Sequence, residues 1–340
     1  MSICPDTFTL TRKVALAPMS GVTDLPFRKL ASTCGAAWVV SEMVASEELV
    51  KARPDVVKRA EGGGELSPFI IQLAGREPHW MAQGAMLAQQ AGADIIDINM
   101  GCPSRQVTGG LSGSALMRDE DLAVSIIKAT VDAVDVPVTL KMRLGWNFDM
   151  LNAPVIARQA EEAGVRMITV HGRTRSQFYK GTADWRAVRA TKEAVGVPVV
   201  VNGDICSGQQ ALAALDQSGA DGVMVGRAAL GQPWLLNQIE TYLDSGDWPE
   251  PPDAATRAQL IKAWYKDMIL YYGETLGVKM ARKHLAGFVE THLGQTDETK
   301  RFRGRICRLL SPEAVLESIE TLYALPPQVD YQTSGMEWAA

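Results

Sequence analysis

From residue 14 to about 235, short apolar β-branched runs alternate with longer segments whose apolar residues recur at helical spacing. That alternation predicts βα units around a parallel sheet. Eight runs read as strands: VALAPM (14–19), WVVSEM (38–43), FIIQLA (69–74), IIDINM (95–100), VTLKMR (138–143), MITVHG (167–172), VVVNGD (199–204) and GVMVGR (222–227). Their borders are punctuated alike. QAGADII, EAGVRMI and QSGADGV place a glycine just after a helix, and VDVPVTL and VGVPVVV place a proline just before a strand. Eight parallel strands, each followed by a helix within about 220 residues, close most naturally into a TIM barrel. An open doubly wound sheet is the alternative, but the GxGxxG expected after its first strand is absent.

The barrel is assigned to residues 1–243, and the proline-rich, acidic DSGDWPEPPDAAT (244–256) reads as a linker. Beyond it Leu260, Trp264 and Met268 recur every four residues. Ala281, Leu285, Phe288 and His292 recur every three to four, as do Phe302, Ile306 and Leu309, then Val315, Ile319 and Leu322. Four amphipathic helices with short connections predict a small antiparallel bundle over residues 257–325, and 326–340 reads as a loose tail. The expected fold class is α/β, a TIM barrel followed by an all-α bundle.

Composition narrows the class without naming a chemistry. A chain of 340 residues buries a generous core and leaves material for an appendage. No apolar stretch approaches the roughly 18 residues that span a bilayer. The N-terminus lacks a basic segment followed by an apolar core and a small-residue cleavage site, so a cytoplasmic location is expected. Cys4, Cys34, Cys102, Cys206 and Cys307 show neither CxxC pairs nor zinc-ligand spacing, which points to reduced thiols and no metal. The net charge of -5 argues against a chain basic throughout but permits a local basic face.

Active sites of TIM barrels sit at the C-terminal ends of the strands, and here nearly every strand ends in a polar side chain. The first ends in Pro18-Met19-Ser20, the third carries Gln72, the fourth Asn99, the fifth Lys141, and the sixth His171. The seventh ends in Asn202-Gly203-Asp204 and the eighth in Gly226-Arg227. Any one of these alone reads equally as a polar strand end facing water; together they favour a site. Loops after the last two strands commonly bind phosphate through backbone N–H groups, and Gly203 and Gly226 let the backbone approach closely while Arg227 adds charge. Lys141 suits the neutralisation of a reduced flavin ring, or else pairs with a carboxylate such as Asp97. Cys102 lies just past the fourth strand among glycines and a proline, a poor setting for a core thiol and a good one for a general acid on a loop that folds over the mouth. Cys34 and Cys206 read as structural.

At these residues the sequence resembles the tRNA-dihydrouridine synthases, flavoenzymes that reduce uridines in tRNA. The matching stretches are LAPMSGVTD, IQLAG (71–75), DINMGCP (97–103), KMRLG (141–145), ITVHGRTR (168–175), VNGDI (201–205) and GRAALGQPW (226–234). They run through the whole barrel in order. The helical segment, with RKHLAGF and RFRGRIC, is similar to the bacterial B-type branch. The resemblance implies FMN held by Pro18, Met19, Ser20, Gln72, Lys141, Asn202, Gly203, Asp204, Gly226 and Arg227, with His171 close to the flavin or its phosphate. It implies Cys102 as proton donor and Asn99 as a partner of the uracil edge. The implied reaction uses NADPH, or NADH, to reduce FMN, which then passes a hydride to uracil C6 in the tRNA D-loop while Cys102 protonates C5.

A uracil inside folded tRNA must be unstacked, so most binding energy has to come from shape and phosphate contacts elsewhere. The bundle offers them: residues 279–308 carry eight Lys or Arg against three acids, a balance of +5 in an acidic chain. Lys279 and Lys283 fall in this segment, and Arg301, Arg305 and Arg308 share one helical face. Arg173 and Arg175 are expected to continue the basic path to the mouth. A monomer acting on tRNA is the partner expectation. Two rivals remain at this stage: a small-molecule FMN-dependent pyrimidine or dihydroorotate-type dehydrogenase, and a barrel that only binds RNA. The sequence does not disclose which uridine is chosen.

Overall fold

The computed structural model describes residues 10–328; Cys4 and most of the expected tail, residues 329–340, lie outside them. The eight expected strands form one closed parallel barrel in sequence order: β1 (Val14–Leu16), β2 (Trp38–Ala45), β3 (Ile70–Ala74), β4 (Ile95–Met100), β5 (Val138–Arg143), β6 (Met167–His171), β7 (Val199–Asn202) and β8 (Gly222–Val225). β1 pairs with β8 to close the ring. β1 ends earlier than its apolar run because Pro18 has no N–H to donate to a ladder. β7 stops at Asn202 because Gly203 turns the chain at a φ of +122°.

Side chains alternate across a strand, so one parity faces the surrounding helices and the other fills the barrel. The inward parity is apolar at the bottom, where Ala15, Ala17, Trp38, Val40, Ile70, Ile95, Met167, Val200 and Met224 make a cluster of their own. Two residues further along the same strands it becomes polar: Gln72, Asp97, Thr139 and Thr169, each buried. At the top come Asn99, Lys141, His171 and Asn202. The barrel is thus plugged below and chemically armed above.

Four further helices follow the barrel: Ala254–Tyr272, Glu274–Leu293, Asp297–Ile306 and Pro312–Ala324. The first starts inside the stretch read as linker, because the Asp253 side chain caps it by accepting from the Thr256 N–H at 2.7 Å. Their core is aromatic, with the Trp264 ring 5.1 Å from His284 and 5.4 Å from Phe288. His284 also stacks at 4.6 Å on Phe27 of the barrel helix Leu25–Thr33, and burial drives its pKa down to about 3, so it stays neutral between the two units. The Tyr272 hydroxyl donates to Asp24 at 3.1 Å and Lys29 pairs with Asp267 at 3.5 Å, tying the same junction. No helix among the described residues is long and apolar enough to cross a membrane.

Candidate active site

A cavity of about 1350 Å³ opens at the C-terminal end of the barrel. Its floor and near wall carry Pro18, Met19 and Ser20 after β1, Gln72 of β3, Asn99 of β4 and Cys102 just beyond it. Lys141, His171, Asn202, Gly203, Asp204, Gly226 and Arg227 complete the ring. Every barrel position expected to touch the flavin or the reacting base therefore meets in one space, larger than the ~300–1,000 Å³ of an ordinary small-ligand site.

Cys102 is held from several sides. Asn99 Oδ1 accepts from the Cys102 N–H at 3.1 Å and from the Gly101 N–H at 3.2 Å, while the Cys102 carbonyl accepts from Ser114 N–H at 3.1 Å and Ser114 Oγ at 2.8 Å. Arg143 Nε donates to the Gly101 carbonyl at 2.8 Å. The expected free flap is consequently a built structure, a helix at Arg105–Gly109 followed by a tight helical turn at Gly113–Arg118. Asn99 departs from its expected role in part: both polar atoms engage the protein, Nδ2 donating to Gln72 at 2.7 Å. Gln72 in turn donates to Asp97 at 2.7 Å, and Thr139 donates to the other Asp97 oxygen at 2.6 Å. Burial raises the Asp97 carboxyl, partly offset by those two bonds.

Lys141 is 8% exposed, and its ammonium has one protein acceptor among the described residues, Asn202 Oδ1 at 3.0 Å. Asp97, the alternative partner, is occupied elsewhere. Burial, with the nearby Arg143 charge, brings the Lys141 pKa down to about 8. An ammonium with two donors left over under a cavity is a poor arrangement without a ligand, because unpaired buried charge is costly. His171 is pushed well below its ordinary value by burial and by the Arg143, Lys141 and Arg173 charges, so its ring is neutral. Arg173 donates to its Nε2 at 3.3 Å, which leaves the ring proton on Nδ1.

The phosphate end fits its expected group. The backbone N–H groups of Gly203, Asp204, Gly226 and Arg227 have no hydrogen-bond partner among the described residues. Gly203 has no room for a Cβ, which would lie 2.7 Å from Ala183 Cβ and 3.0 Å from the His171 ring. Four unspent donors beside an exposed Arg227 suit a phosphate. The Asp204 carboxylate itself does not: it faces Arg173, with contacts at 3.0 and 2.6 Å, and accepts from Ala183 N–H at 2.8 Å. Its Oδ1 also stands 3.6 Å from the Arg227 guanidinium, so two arginines engage the carboxylate and the Asp204 N–H is the group that suits an anion.

Other expectations are corrected. Arg173 is 2% exposed, with its donors on Asp204, His171 and the Lys180 and Gly181 carbonyls, so it offers nothing to RNA at the surface. Arg175 does not line the cavity; it lies 4.6 Å above both the Trp146 and Phe178 rings and donates to Thr108 Oγ1 at 3.2 Å, bracing the Cys102 segment. Burial raises the Cys34 and Cys206 thiols to about 12 and about 11, so both stay protonated, and Cys206 lines the cavity wall. Arg301, Arg305 and Arg308 line a separate shallow groove of about 540 Å³ with Lys300, and none of the three forms an ion pair among the described residues. Lys279 and Lys283 are exposed on the helix Glu274–Leu293, and the Lys283 ammonium reaches Gly21, 3.1 Å from where a Cβ would stand.

Several residues of the cavity were not anticipated. Arg143 is 1% exposed and stands two positions after Lys141, so strand parity pointed at it. Tyr179, on the loop after β6, lies 5.5 Å from the Arg143 guanidinium and 5.4 Å from that of Arg227. Tyr271, Tyr272, Leu276 and Met280 bring the helical unit in as a wall of the cavity, a juxtaposition that no local sequence signal carries.

A family profile described as dihydrouridine synthase matches residues 15–322. The chain belongs to the dihydrouridine synthase family. It is 50% identical over 327 residues to a probable tRNA-dihydrouridine synthase of Rhodobacter capsulatus, covering 95% of this chain and 98% of that one. It is 49% identical to the corresponding protein of Rickettsia conorii, over 92% and 94% of the two chains. To tRNA-dihydrouridine synthase B of Xanthomonas campestris it is 44% identical, over 91% and 92%. Among solved structures, 6-hydroxypseudooxynicotine amine oxidase of Pseudomonas geniculata shares the fold, with a TM-score of 0.51 and 14% identity over 77% of this chain and 52% of that one.

Proposed function

We propose that this dihydrouridine synthase reduces the C5–C6 bond of a uridine in the tRNA D-loop, as a cytoplasmic monomer, with FMN as its resident cofactor and NADPH as reductant. The observation that carries this reading is the coexistence, in one cavity, of a presented thiol, an under-coordinated ammonium and four unspent backbone donors. Gly203, Asp204, Gly226 and Arg227 would hold the phosphate through backbone N–H groups and the Arg227 charge, and Lys141 and Gln72 would face the ring system. When bound, the flavin supplies the hydride that adds to uracil C6.

The chain's own residues do the rest. Cys102 Sγ holds the proton that C5 receives as C6 is reduced, and solvent returns that proton to sulfur. Asn99 keeps the Cys102 backbone in place, and the buried guanidinium of Arg143 stands beside it as a donor for a uracil carbonyl. Lys283, beside Gly21 of the cavity, and Lys279 on the same helix, with Arg301, Arg305 and Arg308 in their groove, meet tRNA phosphates. Incubating the protein with NADPH and either unmodified tRNA or free pyrimidines tests the reading: NADPH loss and dihydrouridine formation are expected with tRNA alone, and turnover of free pyrimidines instead would overturn it.

Two quantitative expectations follow from the charges. Bound flavin favours protonated Lys141, so binding raises its pKa above the free value of about 8. FMN affinity is then constant below that pH and falls by up to about tenfold per pH unit above it. A fluorescence titration of FMN from pH 7 to 9.5 reads this directly, and Lys141→Met is expected to flatten the profile. Replacing Arg301, Arg305 and Arg308 together by alanine is expected to weaken tRNA binding at low salt and to lower the slope of log K against log salt by about 2–3. An unchanged slope would remove the groove from the RNA surface.

A further inference from the structure

Two aromatic side chains are conspicuously exposed among the described residues, Phe148 at 69% and Tyr179 at 47%, and both stand on the loops after β5 and β6. Tyr179 has ring and guanidinium neighbours in the cavity. Phe148 has no ring or guanidinium neighbour among the described residues, yet the backbone turn that carries it is held at several points. At Gly145, φ is +159° and a Cβ would stand 1.8 Å from the Met150 carbonyl oxygen, so the turn closes on itself. Asn147 and Met150 form a β-bridge, and Asp149 N–H donates to Asn147 Oδ1 at 3.1 Å. The loop after β6 locks it from the side, with Arg175 N–H donating to Gly145 and Ser176 N–H to Trp146, both at 2.9 Å. The guanidinium groups of Arg118 and Arg175 lie 4.9 and 4.6 Å from the Trp146 ring.

We propose that Phe148 is a stacking platform for an unpaired base of the tRNA substrate, on the rim half-way round the barrel from the loops that the helical unit touches. The inference rests on tRNA being the substrate. The backbone under Phe148 is already fixed, so a base that stacks on its ring meets only the cost of ordering that side chain. Base–aromatic stacking tolerates any base, because each has a π-face. The charge around the turn suits a polyanion: Arg105 and Arg118 are exposed and form no ion pair among the described residues. Both belong to the segment after β4 that also carries Cys102, and the Arg118 guanidinium lies 4.9 Å from the Trp146 ring of the same turn. The rim also carries Leu111, 55% exposed, and Leu151, 48% exposed, which extend the apolar contact.

The test measures binding of an unmodified tRNA transcript to the full chain across a salt series. Phe148→Ala is expected to weaken binding by roughly five- to twentyfold. Phe148→Leu, which keeps the apolar volume but has no π-face, is expected to do the same, whereas Phe148→Trp restores affinity. The salt slope is expected to stay where it is, since stacking releases no counterions. Equal affinity of Phe148→Ala and the unaltered chain overturns the proposal alone. So does an unaltered chain that is a dimer dissociated by Phe148→Ala, because a second copy is then the occupant. Failure of the unaltered chain to bind tRNA overturns the substrate reading and this inference with it. Thermal unfolding of each variant verifies that the fold is intact.

Discussion

Cys102→Ala is expected to retain flavin and fold while losing about 10²–10⁴-fold in dihydrouridine formation, the range over which a positioned general acid contributes. Cys102 lines the cavity just beyond β4, and the backbone around it is fixed by Asn99, Ser114 and Arg143 whatever stands at position 102. Those contacts run through the Cys102 N–H and carbonyl, which alanine also has. Reduction by NADPH of the flavin is thus expected to persist, and the defect to appear only when tRNA is the acceptor. Cys102→Ser is expected to fall near alanine, since a hydroxyl of pKa far above a thiol's is a poor acid at neutral pH. Single-turnover reduction of tRNA by the pre-reduced protein, read by mass spectrometry of the nucleosides, checks both. Unchanged turnover of the alanine variant would take the thiol out of the mechanism.

Asp204→Ala is expected to cost about 3–5 kcal/mol of stability, because it leaves the Arg173 guanidinium buried without its counter-charge. Arg173 is 2% exposed and Asp204 meets it through two oxygens, at 3.0 and 2.6 Å. Asp204 also holds the Ala183 N–H at 2.8 Å and adopts a φ of +54°, so the same residue shapes the loop that presents its own N–H and that of Gly203. Loss of the carboxylate is therefore expected to weaken FMN binding through the loop backbone and through Arg227, whose guanidinium stands 3.6 Å from Asp204 Oδ1. Pairing Asp204→Ala with Arg173→Met is expected to recover much of the stability, since an apolar side chain at 173 needs no counter-charge. Denaturant unfolding of the four proteins gives the coupling energy, and additive losses would show that the pair is not the unit proposed here.

The barrel was legible because its signal is local. Eight apolar runs, glycine stops and proline starts each report on a few neighbouring residues, and β4 and β5 match their expected bounds residue for residue. Lys141, His171 and Asn202 were legible for a related reason: strand ends in such a barrel converge, so a polar residue at each end is a site without any knowledge of distances. Arg143 carries the same signal, because it shares the inward parity of Lys141 on β5. The arginines after β6 were misjudged because HGRTR shows charge but not direction. Parity, which orders residues inside β6, ceases at His171, and only the loop's path sends Arg173 inward to Asp204 and lays Arg175 across Trp146 and Phe178.

By itself the sequence determined the architecture, the four-helix appendage, the family and the set of side chains that face the barrel mouth, all of which follow from periodicity and from residues close together in the chain. The tertiary structure alone decided which of those side chains are free to meet a ligand. It spent the Asp204 carboxylate on Arg173, tied Asn99 to the Cys102 backbone, left Lys141 short of acceptors and brought Tyr272, Leu276 and Met280 from the appendage to the cavity wall. Partners such as Arg173 and Asp204, 31 residues apart, and Lys141 and Asn202, 61 apart, are chosen by packing, and each donor or acceptor can be used by the protein or by its ligand but not freely by both.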